Sequence, residues 1–83
     1  MNNKVLVVVE VPLIEKKYEV YIPINKKIGF IKQSIVNSIK EKNDGNIDNN
    51  FFNLVDKETG LIFDNNKYAK DSNIRNGTVL FLI

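Results

Sequence analysis

Apolar residues along this chain keep two different rhythms, and the change from one to the other marks out the fold. Lys4–Val11 reads Lys-Val-Leu-Val-Val-Val-Glu-Val, a β-branched run whose stiff side chains favour a pleated backbone. It is apolar at nearly every position, so it is expected to be buried on both faces in the middle of a sheet. Pro12 has no N–H for a ladder and closes the strand. Residues 13–17 connect onward with no register of their own. Tyr18, Val20 and Ile22 then alternate with Glu19, Tyr21 and Pro23, a period of two that predicts a half-buried strand with the first set inward. The two strands form a hairpin. After Asn25 the period lengthens: Ile28, Ile31, Ile35 and Ile39, with Val36, recur at steps of three and four. That stripe predicts a helix of about four turns, starting around Lys26 with Asn25 as its cap. Lys26, Lys27, Lys32, Gln33, Lys40 and Glu41 fall on its solvent side. Asn43-Asp44-Gly45 supplies a left-handed stop, and residues 46–50 form a polar loop.

The second half returns to strands. Phe52 and Leu54 face inward while Asn53 and Val55 point away. Asp56-Lys57-Glu58-Thr59-Gly60 fits a hairpin loop with Gly60 at the position that needs positive φ. Leu61, Ile62 and Phe63 read as a short fourth strand. Residues 64–72 are polar apart from Tyr68 and Ala69, and are expected to be irregular structure over one end of the core. Asn76-Gly77 is the strongest turn signal in the sequence, and residues 78–83 end as a strand apolar on both faces. Two all-apolar strands at opposite ends of a chain both require central positions. The simplest arrangement sets them side by side and parallel, a hairpin on each flank and the helix crossing one face. This is an α+β architecture, a β-grasp with a mixed sheet in the order ββαββ plus a final strand.

The run Ala69-Lys70-Asp71-Ser72-Asn73-Ile74, followed by Leu80 and Leu82, resembles the segment that precedes the last strand in ubiquitin. The helix stripe begins at Ile28, six positions after Ile22, as it does in that family. The resemblance spans residues 4–83 and implies a single ubiquitin-like domain over residues 1–83. Ala69 stands where the family buries a larger leucine, so Tyr68 is expected to fill the space. The sequence ends at Leu82-Ile83 without the Gly-Gly tail that activating enzymes require, which disfavours a sulfur carrier or protein modifier. Among tailless relatives, Asp71, Ile74, Asn76, Gly77, Leu80 and Ile83 resemble the ending of the YukD/EsaB group, associated with type VII (ESX-type) secretion in Gram-positive bacteria. That resemblance implies a cytosolic accessory or regulatory component that binds other parts of the secretion machinery and has no enzymatic activity. The other readings are a sulfur-carrier or modifier protein and a generic β-grasp subunit of another complex.

Composition narrows the chemistry. The 83 residues include no Cys, His or Trp, so thiolate nucleophiles, imidazole bases, disulfides and zinc fingers are excluded. No catalytic, cofactor or metal site is expected; Asp56 and Glu58 in one turn fall short of the six to eight oxygens of a calcium site. The net charge is +2 and Arg75 is the one Arg, a balance too weak for nucleic acid, which favours clustered arginines. The apolar runs are far shorter than the roughly 20 residues of a membrane span, and no signal peptide is visible, so a cytoplasmic protein without direct membrane insertion is expected. Lys26, Lys27 and Lys32 read as a solvated helix face, and Asp71 and Asn73 as residues that hydrogen-bond their own loop backbone.

Alternation carries the one candidate site. With Phe52, Leu54, Leu80 and Leu82 toward the helix, Val55, Phe81 and Ile83 lie on the opposite face of adjacent strands. The resemblance matches Val55 and Ile83 to the apolar patch through which ubiquitin meets most partners. Leu13 or Ile14, from the first hairpin loop, is the third member. The expected occupant is a protein partner from the secretion system, with self-association or a scattered apolar surface as the competing readings. The helix itself is rich in β-branched isoleucine, which lowers intrinsic helicity. A synthetic peptide of residues 26–42 is therefore expected to show little helical circular dichroism in water, since tertiary burial must hold it.

Overall fold

A computed structural model describes residues 3–42 and 52–83. The expected stop at Asn43-Asp44-Gly45 and the loop 46–50 lie outside the described residues. Strand β1 is Lys4–Val11, β2 is Lys16–Pro23, helix α1 is Ile28–Glu41, β3 is Leu54–Asp56 and β4 is Val79–Leu82. They form one four-stranded sheet in the order β2-β1-β4-β3. The two apolar strands do lie together: β1 and β4 are parallel, with Val8 opposite Val79 and Val9 opposite Leu80. Each is flanked by an antiparallel neighbour.

The inner layer follows the alternation. Val7, Val9, Val11, Ile22, Leu54, Leu80 and Leu82 are buried against the stripe of Ile28, Ile31, Ile35, Val36 and Ile39. Each such side chain contributes about 1.5–3 kcal/mol through the area it removes from water. The outer face of β1 is less covered than its composition suggested. Leu6, Val8 and Glu10 are half-buried there, because among the described residues one α-helix lies across the sheet and it takes the other side.

Three expectations need correction. The helix starts at Ile28 with Lys27 at the cap position, and no side chain caps it. Its first donors are met by a distant loop: Ile28 N–H donates to the Lys67 carbonyl at 2.8 Å and Gly29 N–H to the Asn65 carbonyl at 3.0 Å. These are two of the four backbone donors that every helix start leaves unpaired, so Asn25 is not needed there. The same loop donates back, from Ala69 N to the Lys26 carbonyl and from Lys70 N to the Ile24 carbonyl. Gly29 makes this approach possible, since a Cβ at that position would sit 3.2 Å from the Asn65 carbonyl oxygen.

Leu61, Ile62 and Phe63 do not extend into a strand. Asp56 N donates to the Leu61 carbonyl and Phe63 N to the Leu54 carbonyl, forming a single bridge between Val55 and Ile62. Asp64 then turns the chain away, accepting from Asn66 N through Oδ1 and from Lys67 N through its carbonyl. The sheet is thus four-stranded, and the last element of the chain is its fourth strand. Nor does Tyr68 fill the space beside Ala69. Ala69 is fully buried and Tyr68 is 42% exposed, its ring centre 6.0 Å from the Lys27 ammonium and 5.8 Å from the Lys70 ammonium.

The turns obey their sequence signals. Gly60 has φ +76° and its N–H donates to the Asp56 carbonyl, and Gly77 has φ +89°. Register in the first hairpin is set by a 3-10 turn at Pro12–Ile14 that closes with Glu15 in the left-handed region. Leu80 is fully buried where β4 meets β1 and the helix. Leu80→Ala is expected to cost about 2–5 kcal/mol, measured as a lower urea midpoint with an unchanged slope.

Candidate functional site on the outer face of the sheet

Because side chains alternate across a strand, the face away from α1 carries Leu6, Val8 and Glu10 from β1, Tyr21 from β2, Val55 from β3, and Val79 and Phe81 from β4. Val55 stands directly opposite Phe81. Phe81 in turn is paired with Glu10 across the parallel ladder. Lys57, from the turn after β3, spans this group: its Nζ lies 5.6 Å from the centre of the Phe81 ring and 2.8 Å from Glu10 Oε2. The ion pair runs over the aromatic ring and leaves Phe81 half-buried.

The five residues expected to form a patch separate into four placements. Val55 and Phe81 share the outer face, but Val55 is only 6% exposed. Phe81 covers it on one side and Ile62, its bridge partner, on the other. Ile83 is 51% exposed and continues the β3–β4 ladder, exchanging backbone hydrogen bonds with Asn53. Leu13 is 68% exposed at the end of the sheet where β1 finishes. Ile14 does not belong to the patch, because it packs against the core.

What the pattern missed is Leu61 and Ile62, 59% and 61% exposed. Reading them as a fourth strand commits one side of the segment to the core, yet of the three residues only Phe63 enters it. The signal was present in Asp64, a turn-forming residue that takes the chain away after one bridge beyond the Asp56 turn. Both carboxylate oxygens of Asp56 are used there, Oδ1 by Glu58 N–H and Oδ2 by the Thr59 hydroxyl, as turn chemistry requires. At the other end of β4, Asn76 does more than turn the chain. Its Oδ1 accepts from Leu6 N at 2.8 Å, extending the central ladder by one side-chain rung. Asn73 adopts the left-handed region, and its side-chain oxygen accepts from the Arg75 guanidinium instead of from its own backbone.

No family model matches the chain and no curated protein matches it. Solved structures do. The N-terminal ubiquitin-like domain of the 4931431F19Rik protein superposes with a TM-score of 0.77 over 100% of this chain and 76% of that one, at 16% identity. The ubiquitin-like domain of Arabidopsis thaliana protein At2g32350 gives 0.76 over 99% and 78%, also at 16% identity. The fold is a ubiquitin-like β-grasp. A chain of the MycP5-free ESX-5 inner membrane complex contains a similar unit, with TM-score 0.76 and 15% identity over 99% of this chain and 21% of that one.

In this ubiquitin-like β-grasp the outer face carries one titrating device. The hydrogen bond from Lys57, with the charges of Lys57 and Lys17, holds the Glu10 carboxyl below its ordinary value of 4.5 against the smaller opposing effect of burial. A depressed carboxyl favours the folded state above its unfolded pKa, and that gain is lost as pH falls through the folded value. Glu10→Gln is therefore expected to lower the melting temperature near neutral pH. The difference from the parent should shrink as pH drops below 4.5 and vanish in strong acid, as followed by thermal melts across the acid range.

Proposed function

We propose that this chain is a non-catalytic protein-binding module serving a type VII secretion apparatus as a cytoplasmic accessory or regulatory component, in the manner of the YukD/EsaB group. The observation that carries this reading is the outer face of the sheet. Among the described residues no element covers Leu6, Val8, Val79 and Phe81, and Ile62 and Ile83 stand exposed beside them. Adjoining apolar side chains left open in this way mark contact surfaces more often than chance. The Lys57–Glu10 pair at the centre supplies a polar contact that fixes how a partner sits. A chain without Cys or His has neither thiolate nor imidazole to offer, so binding is the use its side chains suit. The secretion context rests on the ubiquitin-like unit within a chain of the ESX-5 inner membrane complex. It rests also on the ending around Asp71, Ile74, Asn76, Gly77, Leu80 and Ile83.

The test is quantitative affinity capture from a Gram-positive host that carries a type VII system, comparing the parent chain with Ile62→Asp. Ile62 is exposed, so the variant is expected to keep its melting temperature within a few degrees and to lose at least ten-fold of the captured secretion components. Capture that contains no secretion component, or that is unchanged by Ile62→Asp, overturns the reading.

A further inference from the structure

Among the described residues no strand pairs with a second feature of the sheet, its β2 edge. Ile24 N donates to the Asn3 carbonyl, and the β1–β2 register pairs Val5 with Ile22, Val7 with Val20 and Val9 with Tyr18. In an antiparallel ladder alternate residues turn their backbone groups to the same neighbour. Residues 18, 20, 22 and 24 therefore face β1, and Lys17, Glu19 and Tyr21 turn both N–H and carbonyl to the open side. Pro23, which has no N–H, ends that row. Along the same edge, the inward side chains of Tyr18, Val20 and Ile22 and the α1 residues Ile35, Ser38 and Lys42 line a mostly apolar groove with about 110 Å³ of open volume. An apolar cavity of roughly 150 Å³ takes a benzene ring, so this groove takes one aliphatic side chain.

We propose that the β2 edge and this groove bind an extended peptide segment of a partner, which adds a fifth strand at Lys17, Glu19 and Tyr21. The segment sets an aliphatic side chain into the groove and carries acidic residues at the end that meets Lys42. The two halves of the site have the spacing of strand addition: main-chain hydrogen bonds supply affinity and a side pocket reads every second residue. Charge sets the polarity. Among the described residues Lys42 is the one charged side chain lining the groove, and its ammonium lies 5.6 Å from the Tyr18 ring. Of the described residues at that end, Lys16, Lys17, Lys40 and Lys42 outnumber Glu15 and Glu41. A second copy of this chain fits less well, because antiparallel self-pairing through all three positions sets Glu19 against its own counterpart, and like charges directly opposed destabilise a ladder. The proposal rests on the reading of the chain as a protein-binding module but uses a surface separate from the outer face.

The experiment titrates the full, isotope-labelled chain with a capped octapeptide that alternates isoleucine with threonine and ends in two glutamates. A twin ending in two lysines serves as control. The glutamate peptide is expected to shift and protect from exchange the amides of Lys17, Glu19 and Tyr21, and to bind at least ten-fold more tightly than its twin. Glu19→Pro removes an outward donor without touching a β1 hydrogen bond, and is expected to weaken binding at least ten-fold. Lys42→Glu is expected to abolish the preference for glutamate and decides the matter alone if Glu19→Pro disturbs the fold. Shifts confined to Leu6, Val8 and Phe81, unaltered affinity in both variants, or protection of the three amides in the free protein each overturn the proposal. Ile62→Asp is expected to bind the peptide as the parent does, so failure of the edge leaves the outer-face reading to its own test.

Discussion

The pairing of the two ends of the chain is the constraint on which the rest depends. Leu6 and Asn76 are hydrogen-bonded across 70 positions of sequence, and the parallel ladder from Val8–Val79 to Glu10–Phe81 follows from that junction. Closing so long a loop costs entropy before any contact repays it. The return comes from a centre in which Val7, Val9, Val11, Leu80 and Leu82 are all fully buried. Parallel neighbours require a crossover, and α1 provides it. Once β1 and β4 are adjacent, β2 and β3 have only the outer positions to take, and the helix has only one face to cover.

A second constraint holds the helix in place. Its N-terminus is satisfied by main-chain carbonyls of the loop that leads to the 3-10 turn Ala69–Asp71. The four hydrogen bonds between residues 24–29 and 65–70 clamp the start of α1 to the far half of the chain. Gly29 and Ala69 are small where these backbones meet, and Ala69 is fully buried. A larger residue at 69 would have to push the clamp open, which gives a physical reason for alanine here and for Tyr68 staying on the surface.

Features with a local cause were legible in the sequence. The strand periods, the isoleucine stripe, the positive φ of Gly60 and the central placing of the two apolar strands needed only patterning and turn chemistry. Those that failed depend on partners far away in the chain. Asn25 is a reasonable cap by type, but the donors it would serve are taken by Lys67 and Asn65 carbonyls. Leu61, Ile62 and Phe63 have strand composition, yet Asp64 breaks the ladder after one bridge. The candidate patch was legible in its facing and not in its exposure. Alternation puts Val55 outward, but only the bridge to Ile62 and the pairing with Phe81 show that it is covered.

The division of surfaces follows from a single helix crossing a four-stranded sheet. One face is used by the core, and the opposite face is left half-covered by its own side chains and by the Lys57–Glu10 pair above Phe81. Of the two sheet edges, β3 is shielded in part by the Leu61–Phe63 bridge, while β2 keeps an outward row of backbone groups beside an apolar groove. An edge of this kind is an aggregation hazard unless it is blunted. Lys16 and Pro23 blunt it at its two ends, and among the described residues Lys17, Glu19 and Tyr21 keep their outward backbone groups between them. A protein that protects only the ends of an edge limits what can pair there to a short strand, and so converts a hazard into a selective surface.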